Sequence, residues 1–196
     1  MQEPLPILLI HGFGGGAWDY HPLTAYLRKK HRSAAFFPFH YKERFGTSSL
    51  EDIASDLSEF VEEHLSRKKF VVVGFSQGGL IWRLCALRHP SIEENALSVF
   101  TICTPHHGSS LAYFGIRPGV KELRPGSSVM KALAHHTSRV PYYSIYNPID
   151  TVVVPGTSAR LKGARKNLRV FALTHPGTFA ARDTLTFIDS TLFEKN

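Results

Sequence analysis

Six short apolar runs, each followed by turn residues, alternate along the chain with segments of helical periodicity. Continuous apolar runs of this length are typical of strands in parallel sheets, which are buried on both faces. Their alternation with helices predicts an α/β fold, a mostly parallel six-stranded sheet with helices on both faces and right-handed crossovers. The predicted strands are residues 7–10, 33–39, 70–73, 96–103, 141–146 and 168–173, and the predicted helices are 18–30, 49–66, 77–88 and 182–193.

The size of the chain fits one such domain. It has 196 residues, 43% of them hydrophobic, which is enough for one well-buried core. We predict a single domain over residues 1–196, with 109–140 as a short lid-like insertion and at most a mobile flap. No apolar stretch approaches a membrane span, and the first strand follows Met1 almost at once. We therefore expect no signal peptide, and a cytoplasmic protein unless the sequence is trimmed from a secreted precursor.

The net charge of +7 raises the question of an acidic partner. The basic residues are scattered and accompany no nucleic-acid motif, so we expect no nucleic-acid partner. The densest basic stretch, residues 160–169, is interpreted as a solvated face, with transient attraction to an anionic lipid surface as the alternative. We expect a monomer.

The cysteines and paired histidines predict no metal site. Cys85 and Cys103 lack metal-like spacing and are expected to be buried free thiols. Two pairs of adjacent histidines have no carboxylate or cysteine at a suitable spacing, so they are expected to be hydrogen-bonded or exposed. These pairs are His106-His107 and His135-His136.

The strongest local signal for chemistry is the pentapeptide Gly74-Phe75-Ser76-Gln77-Gly78, which links the apolar run 70–73 to the helical segment 77–88. Glycines two positions before and after a serine let the backbone turn sharply from strand to helix, which holds the hydroxyl above the sheet edge. For the pattern alone, a glycine-rich turn without chemistry is the alternative. The flanking strand and helix favour Ser76 as a nucleophile.

The partners of such a serine should follow other strands, because ligands of open parallel sheets bind beyond the carboxyl ends of the strands. A serine hydroxyl needs a base, and an imidazole needs an acceptor on its second nitrogen. Asp150 follows the fifth predicted strand and His175 the sixth, in the chain order of α/β-hydrolases. Asp150 as a turn residue after Pro148, with Asp183 or Asp189 as the acid, is the alternative.

Acyl transfer also requires donors where negative charge develops on a carbonyl oxygen. The backbone N–H groups of Gln77, after the nucleophile, and of Phe13, after the first strand, are the candidates for this oxyanion hole. The run of glycines at 14–16 allows close approach of a substrate, with a flexible turn as the alternative. Candidate walls of an acyl groove, any of which could be core instead, are Phe13, Trp18, Tyr20, Leu111 and Val152.

Over most of its length the chain resembles the small lipases of the α/β-hydrolase superfamily, most closely the compact, lidless bacterial triacylglycerol lipases of lipase class 2. The matching segments are ILLIHGFGGGAWDY, KKFVVVGFSQGGLIWRL, TICTPHHGSSLA, LRPGSSVMKAL, and the stretch from YYSIYNPIDTVVVP to LKGARKNLRVFALTHPG. The resemblance implies Ser76, Asp150 and His175 as catalytic triad, and the amides of Phe13 and Gln77 as oxyanion hole.

Two positions depart from the family pattern. Phe75 stands where many relatives carry histidine, and Thr174 where many carry glycine; neither is chemically required. The predicted function is a serine carboxylic-ester hydrolase, a lipase or esterase acting on small-molecule or lipid esters, without metal or cofactor. A thioesterase, acyltransferase or phospholipase with the same triad, and a non-catalytic binding member of the fold, are the alternatives.

Overall fold

The structure is a computed structural model and describes residues 4–41 and 46–193. Six strands form one all-parallel sheet in the order β2-β1-β3-β4-β5-β6. The strands are β1 (Pro6–Ile10), β2 (Ala35–Phe39), β3 (Phe70–Phe75), β4 (Ala96–Ile102), β5 (Tyr142–Tyr146) and β6 (Lys166–Arg169). The predicted α/β class, with its six-stranded parallel sheet, is confirmed.

The helices lie mainly between successive strands. They are α1 (His21–Lys30), α2 (Leu50–Leu65), α3 (Gln77–Arg88), α4 (Pro90–Glu93), α5 (Pro118–Glu122), α6 (Ser128–Ala134), α7 (His175–Ala180) and α8 (Arg182–Phe193). Short 3₁₀ helices cover Ala17–Tyr20, Ser110–Phe114 and Gly156–Ala159. No helix in these described ranges combines the length and hydrophobicity that crossing a bilayer requires.

The core lies on both faces of the sheet because successive strand residues point in opposite directions. Leu8 and Val72 pack in a cluster with the buried side chains of α2, α3 and α6. Ile7 and Val71, their chain neighbours, pack in the opposite cluster with side chains of α1, α7 and α8. Helices therefore cover both faces, as the apolar runs predicted.

The last predicted strand is displaced toward the N-terminus. We predicted residues 168–173, whereas β6 spans Lys166–Arg169 and pairs with β5 from Tyr143 to Tyr146. β6 is an edge strand whose two end residues are exposed. Its hydropathy pattern therefore carries no strand signal, and its position is set by hydrogen bonding to β5.

A buried polar network joins α3 and α4 to β5. Tyr142 accepts a hydrogen bond from Trp82 Nε1 at 3.0 Å and donates one to Glu93 Oε1 at 2.9 Å. His136 Nε2 lies 3.5 Å from Glu93 Oε2. Burial disfavours the charge of Glu93, but hydrogen bonds from His136 and Tyr142, among others, outweigh it and lower the pKa of this carboxyl.

The segment 109–140 is attached to the body of the domain at several points. Ser109 Oγ donates to the Val152 carbonyl and accepts from the Val154 N–H, at 2.9 and 3.0 Å. Further along, α6 buries Val129, Met130 and Leu133 in the core cluster that contains Leu8 and Val72. Within residues 109–140, the large exposed apolar side chains lie between positions 111 and 116.

Candidate active site

Ser76 lies at the sharp turn between β3 and α3. Its φ and ψ angles are 52° and −122°, a backbone conformation that residues with a side chain rarely adopt. The flanking glycines make the turn possible, because a Cβ on Gly78 would lie 2.6 Å from the His11 carbonyl oxygen. A Cβ on Gly74 would lie 2.7 Å from the Cα atom of Gly79. The strand, turn and helix thus pack too closely for side chains at these two positions.

His175 and Asp150 form a buried hydrogen-bonded pair beyond the carboxyl ends of β5 and β6. The distances from His175 Nδ1 to Asp150 Oδ2 and Oδ1 are 2.7 and 2.9 Å. Their side chains are 7% and 1% exposed. Because an ionised carboxylate only accepts hydrogen bonds, Nδ1 carries the proton and Nε2 is left as the basic nitrogen.

The Asp150 carboxylate is held by the backbone that follows it. Oδ1 accepts the N–H groups of Val152 and Val153 at 2.8 and 2.9 Å. Burial disfavours ionisation of Asp150, but the hydrogen bonds from His175 and from these amides outweigh it and lower the pKa of the carboxyl. The carboxylate is therefore ionised at neutral pH and fixed in orientation.

Phe75 connects this pair to the Ser76 turn. It immediately precedes Ser76, and its ring centroid lies 4.9 Å from that of His175 and 5.4 Å from that of Phe179. The Nε2 atom of His175 is buried and forms no hydrogen bond with Ser76 or with any other residue of 4–41 and 46–193. In this structure the hydrogen bond between acid and imidazole is formed, and the one between imidazole and hydroxyl is not.

The loop after β1 packs directly against the nucleophile turn. A Cβ on Gly12 would lie 2.9 Å from the Cβ of Ser76, so only glycine permits this approach. The loop is anchored by Tyr41, whose ring stacks on His11 at 4.0 Å and whose hydroxyl donates to the His11 carbonyl at 2.9 Å. Phe13, the predicted amide donor, follows Gly12 with its side chain 41% exposed.

Gln77, the second predicted amide donor, is the first residue of α3 and is 1% exposed. The first N–H groups of a helix have no carbonyl partner within the helix and form its positive dipole end. One predicted donor thus follows Ser76 in the chain, and the other lies in the loop packed against it across the sheet edge.

Cys103 is a neighbour of this site that the sequence analysis did not identify. It immediately follows β4, has φ of 49° and is fully buried. Its Sγ, a carboxylate oxygen of Asp150 and a ring nitrogen of His175 lie within 4.8 Å of one another. Burial raises the pKa of the Cys103 thiol, which keeps it protonated. Cysteine, carboxylate and imidazole could ligate Zn²⁺, but here His175 Nδ1 and the Asp150 carboxylate already satisfy each other.

The histidine pairs are hydrogen-bonded or exposed rather than clustered. His106 is buried between Thr101, 3.0 Å from Nε2, and the Arg83 guanidinium, 3.3 Å from Nδ1. Burial, followed by the charge of Arg83, holds the pKa of His106 well below its usual value. His107 and His135 are exposed.

Among the predicted groove residues, Tyr20 belongs to the core. It is 2% exposed and packs edge to face on Phe179, with the ring centroids 5.9 Å apart. We interpreted Tyr20 as a candidate wall of the acyl groove, with a core position as the alternative. The core position is correct, because Tyr20 packs in the cluster that contains side chains of α1, α7 and α8. Trp18, Leu111 and Val152 are 83%, 41% and 48% exposed.

Exposed apolar side chains concentrate at the carboxyl edge of the sheet. Of the large hydrophobic residues exposed within 4–41 and 46–193, all but Leu97 follow the carboxyl ends of β1, β4, β5 or β6. We call this set the apolar rim; its members are Phe13, Trp18, Leu111, Tyr113, Phe114, Ile116, Ile149, Val152, Phe171 and Leu173. Exposed apolar surface of this extent is typical of ligand or membrane contact.

Comparison with known proteins bears on the fold. Residues 6–126 match the profile of a family described as alpha/beta hydrolase fold. A comparison with curated proteins gives no match. Aspergillus fumigatus lipase B is similar in structure, with a TM-score of 0.76 and 18% identity over 89% of this chain and 49% of that one. The chain thus spans about half the length of that lipase.

Two bacterial structures are also similar. The mature form of Bacillus licheniformis lipase BlEst2 has a TM-score of 0.73 and 19% identity, covering 97% of this chain and 92% of that one. Phospholipase PlaB from Legionella pneumophila has a TM-score of 0.64 and 17% identity, covering 73% of this chain and 37% of that one. At these identities the likeness is one of fold.

Proposed function

The chain belongs to the α/β-hydrolase fold family, and on this premise we propose that it is a serine hydrolase that cleaves carboxylic esters, as a lipase or esterase does. The observation that carries the proposal is the buried hydrogen bond between Asp150 and His175, beside the strained Ser76 turn. An ionised carboxylate that fixes an imidazole is the arrangement that activates a serine hydroxyl.

The first half of the reaction forms an acyl-enzyme. His175 Nε2 accepts the proton of the Ser76 hydroxyl as its oxygen attacks the ester carbonyl carbon. The carbonyl oxygen becomes negative and accepts hydrogen bonds from the amides of Phe13 and Gln77, each worth about 3 kcal/mol in the transition state. Collapse breaks the ester bond, and the departing alcohol takes the proton from His175.

The second half returns the enzyme to its starting state. A water molecule gives its proton to His175 Nε2 and attacks the acyl carbon, and the acid leaves as Ser76 recovers the proton. Asp150 remains ionised and holds the imidazole throughout. The mechanism requires Ser76 and Nε2 to come within hydrogen-bonding reach when substrate binds, since catalytic contacts are often long in unliganded sites.

The apolar rim supports an apolar acyl group in the substrate. Pockets that bind such ligands are lined mainly by hydrophobic and aromatic side chains, and the rim side chains follow the carboxyl ends of strands, at the edge of the sheet where the Ser76 turn lies. Two guanidinium groups lie over rim aromatics, Arg124 over Tyr113 and Arg169 over Phe171, at 5.4 and 5.3 Å. These cations favour phospholipids as the second candidate substrate and transient contact with a lipid surface.

Titration with a fluorophosphonate probe tests the proposal. We expect one probe per folded molecule, with labelling lost in Ser76→Ala and retained in Ser91→Ala, which removes an exposed hydroxyl from α4. Absence of labelling in the folded parent would remove the hydrolase assignment.

A substrate panel then separates the enzyme classes. Hydrolysis rates are compared for p-nitrophenyl esters, emulsified triglyceride, phospholipid vesicles and acyl thioesters. We expect oxygen esters to be preferred. A preference for thioesters by orders of magnitude would replace the esterase proposal with a thioesterase that uses the same residues.

A further inference from the structure

A concave region lies at the amino edge of the sheet, opposite the candidate active site. It has a volume of about 1000 Å³ and is formed near the starts of five strands, β1 to β5, and the last turn of α8. Small-molecule sites commonly have volumes of this order. We call this region the amino-edge cleft.

The floor of the amino-edge cleft is apolar. Phe37, Val71 and Leu192 contribute to it together with Leu97. Leu97 is the extra residue of a β-bulge, because Phe70 pairs with Ala96 and Val71 pairs with Ser98. A bulge re-aims the side chain that it carries.

Leu97 is also the exception to the distribution of exposed apolar residues. It is 46% exposed. All other large exposed hydrophobic side chains within residues 4–41 and 46–193 belong to the apolar rim. The bulge thus turns the Leu97 side chain toward the cleft. In a regular strand this side chain would point to one face of the sheet.

One wall of the cleft is cationic. Arg67, Lys68 and Lys69, in the turn from α2 to β3, are consecutive and exposed, and no acidic residue lines the described cleft. None of the three forms an ion pair with a carboxylate of the described chain. Among the described residues that line the cleft, none therefore neutralises the positive charge of this wall.

The three cations differ in how they are placed. Lys69 Nζ donates to the Glu94 carbonyl at 2.8 Å, and Lys68 Nζ lies 5.8 Å from the centre of the Phe37 ring. Arg67 has φ of 62°, a left-handed conformation that residues with a side chain rarely adopt. Lysine stems cover apolar surface while their ammonium groups stay at its boundary.

From the apolar floor and the unneutralised cationic wall, we propose that the amino-edge cleft binds an amphipathic anion, a single alkyl chain that carries a carboxylate or phosphate head. The alkyl chain lies against Phe37, Leu97 and Leu192, and the head faces Arg67 and Lys68. The site is separate from Ser76, so its occupancy does not depend on the proposed hydrolase activity.

The test is a titration of the full ¹⁵N-labelled chain, observed by amide chemical shifts below the critical micelle concentration. Laurate and dodecyl phosphate are the two probes, and they distinguish a carboxylate head from a phosphate head. Dodecyltrimethylammonium controls for the alkyl chain alone, and acetate for the head alone. We expect saturable shifts at Leu97 and Val71 with at least one anionic probe and weak shifts with both controls.

Variants separate this site from binding of the same probes near Ser76. Lys68→Glu should weaken binding at the Leu97 amide by roughly tenfold, because it reverses a charge beside the head group. Leu97→Asp should weaken it as well, and Ser76→Ala should leave it unchanged. Lys162→Glu, an equal charge change at an exposed position outside the cleft, is the matched control.

Three outcomes would overturn the proposal: shifts confined to the loops around Ser76, equal binding of the cationic probe, or equal weakening by Lys162→Glu and Lys68→Glu. Absence of saturable shifts at Leu97 with both anionic probes would overturn it too. Each of these results leaves the proposed hydrolase function standing, since that is judged by labelling of Ser76.

Discussion

Replacing Asp150 by asparagine changes the proton on His175 while keeping the shape of the side chain. Oδ1 accepts the N–H groups of Val152 and Val153 at 2.8 and 2.9 Å, so only an oxygen suits that position. The amide nitrogen of the asparagine must then take the place of Oδ2, 2.7 Å from His175 Nδ1. Because an amide nitrogen only donates, Nδ1 becomes the acceptor and the proton moves to Nε2.

An imidazole protonated on Nε2 cannot accept the proton of Ser76. We therefore expect kcat to fall by roughly 10³ to 10⁴, or about 4 to 5.5 kcal/mol of transition-state stabilisation. The fold should survive, because two backbone hydrogen bonds remain. Losing the charged contact between Asp150 and His175 should lower the free energy of unfolding by about 1.5 to 3 kcal/mol.

The assay is hydrolysis of p-nitrophenyl butyrate, with urea unfolding of the same samples. Asp183→Asn is the matched control, because Asp183 is exposed in the first turn of α8. It should leave kcat unchanged and lower the free energy of unfolding by less than about 1 kcal/mol, through the helix dipole alone. A kcat for Asp150→Asn within tenfold of the parent would refute the tautomer reasoning and the role of Asp150 as the acid.

Glu93→Gln should lower the free energy of unfolding by about 1 to 2 kcal/mol at pH 7. Since folding lowers the pKa of Glu93, this difference is full above its unfolded value of about 4.3 and disappears as pH falls through the folded pKa, as urea unfolding at several pH values will show. Gly78→Ala should destabilise the fold by at least about 2 kcal/mol in thermal unfolding, because its Cβ meets a rigid backbone carbonyl. Phe75→Leu removes the ring against His175 and should lower kcat roughly tenfold with KM nearly unchanged.

Each of the predictions for Glu93, Gly78 and Phe75 has a control variant or a result that would contradict it. A stability gap for Glu93→Gln that stays constant between neutral and acid pH would contradict the ionisation argument. Gly126→Ala should cost only the left-handed strain, because a Cβ there meets no atom within 4 Å. For Phe75, rescue of kcat by tyrosine would support positioning of His175 through its aromatic neighbour, whereas equal loss in both variants would contradict it.

The sequence by itself determined the architecture and the nucleophile turn, because both depend on residues close together in the chain. The apolar runs report burial on both faces, and the glycines around Ser76 report a turn in which a Cβ would meet backbone atoms. The chain order of Ser76, Asp150 and His175 indicated the acid and the base, because successive parallel strands end at the same edge.

Only the tertiary structure decided which residues meet across the crossovers. Tyr20 was a candidate wall of the acyl groove from the sequence, but it is buried in the core cluster that contains Ile7 and Val71. Cys103 lies directly after β4, 47 positions before Asp150 in the chain, and no local pattern could place its thiol beside that carboxylate. The positions of the edge strand β6 and of the amino-edge cleft were not predictable from the local sequence either. Strand pairing and helix packing place them, and these depend on contacts between residues far apart in the sequence, which hydropathy does not record.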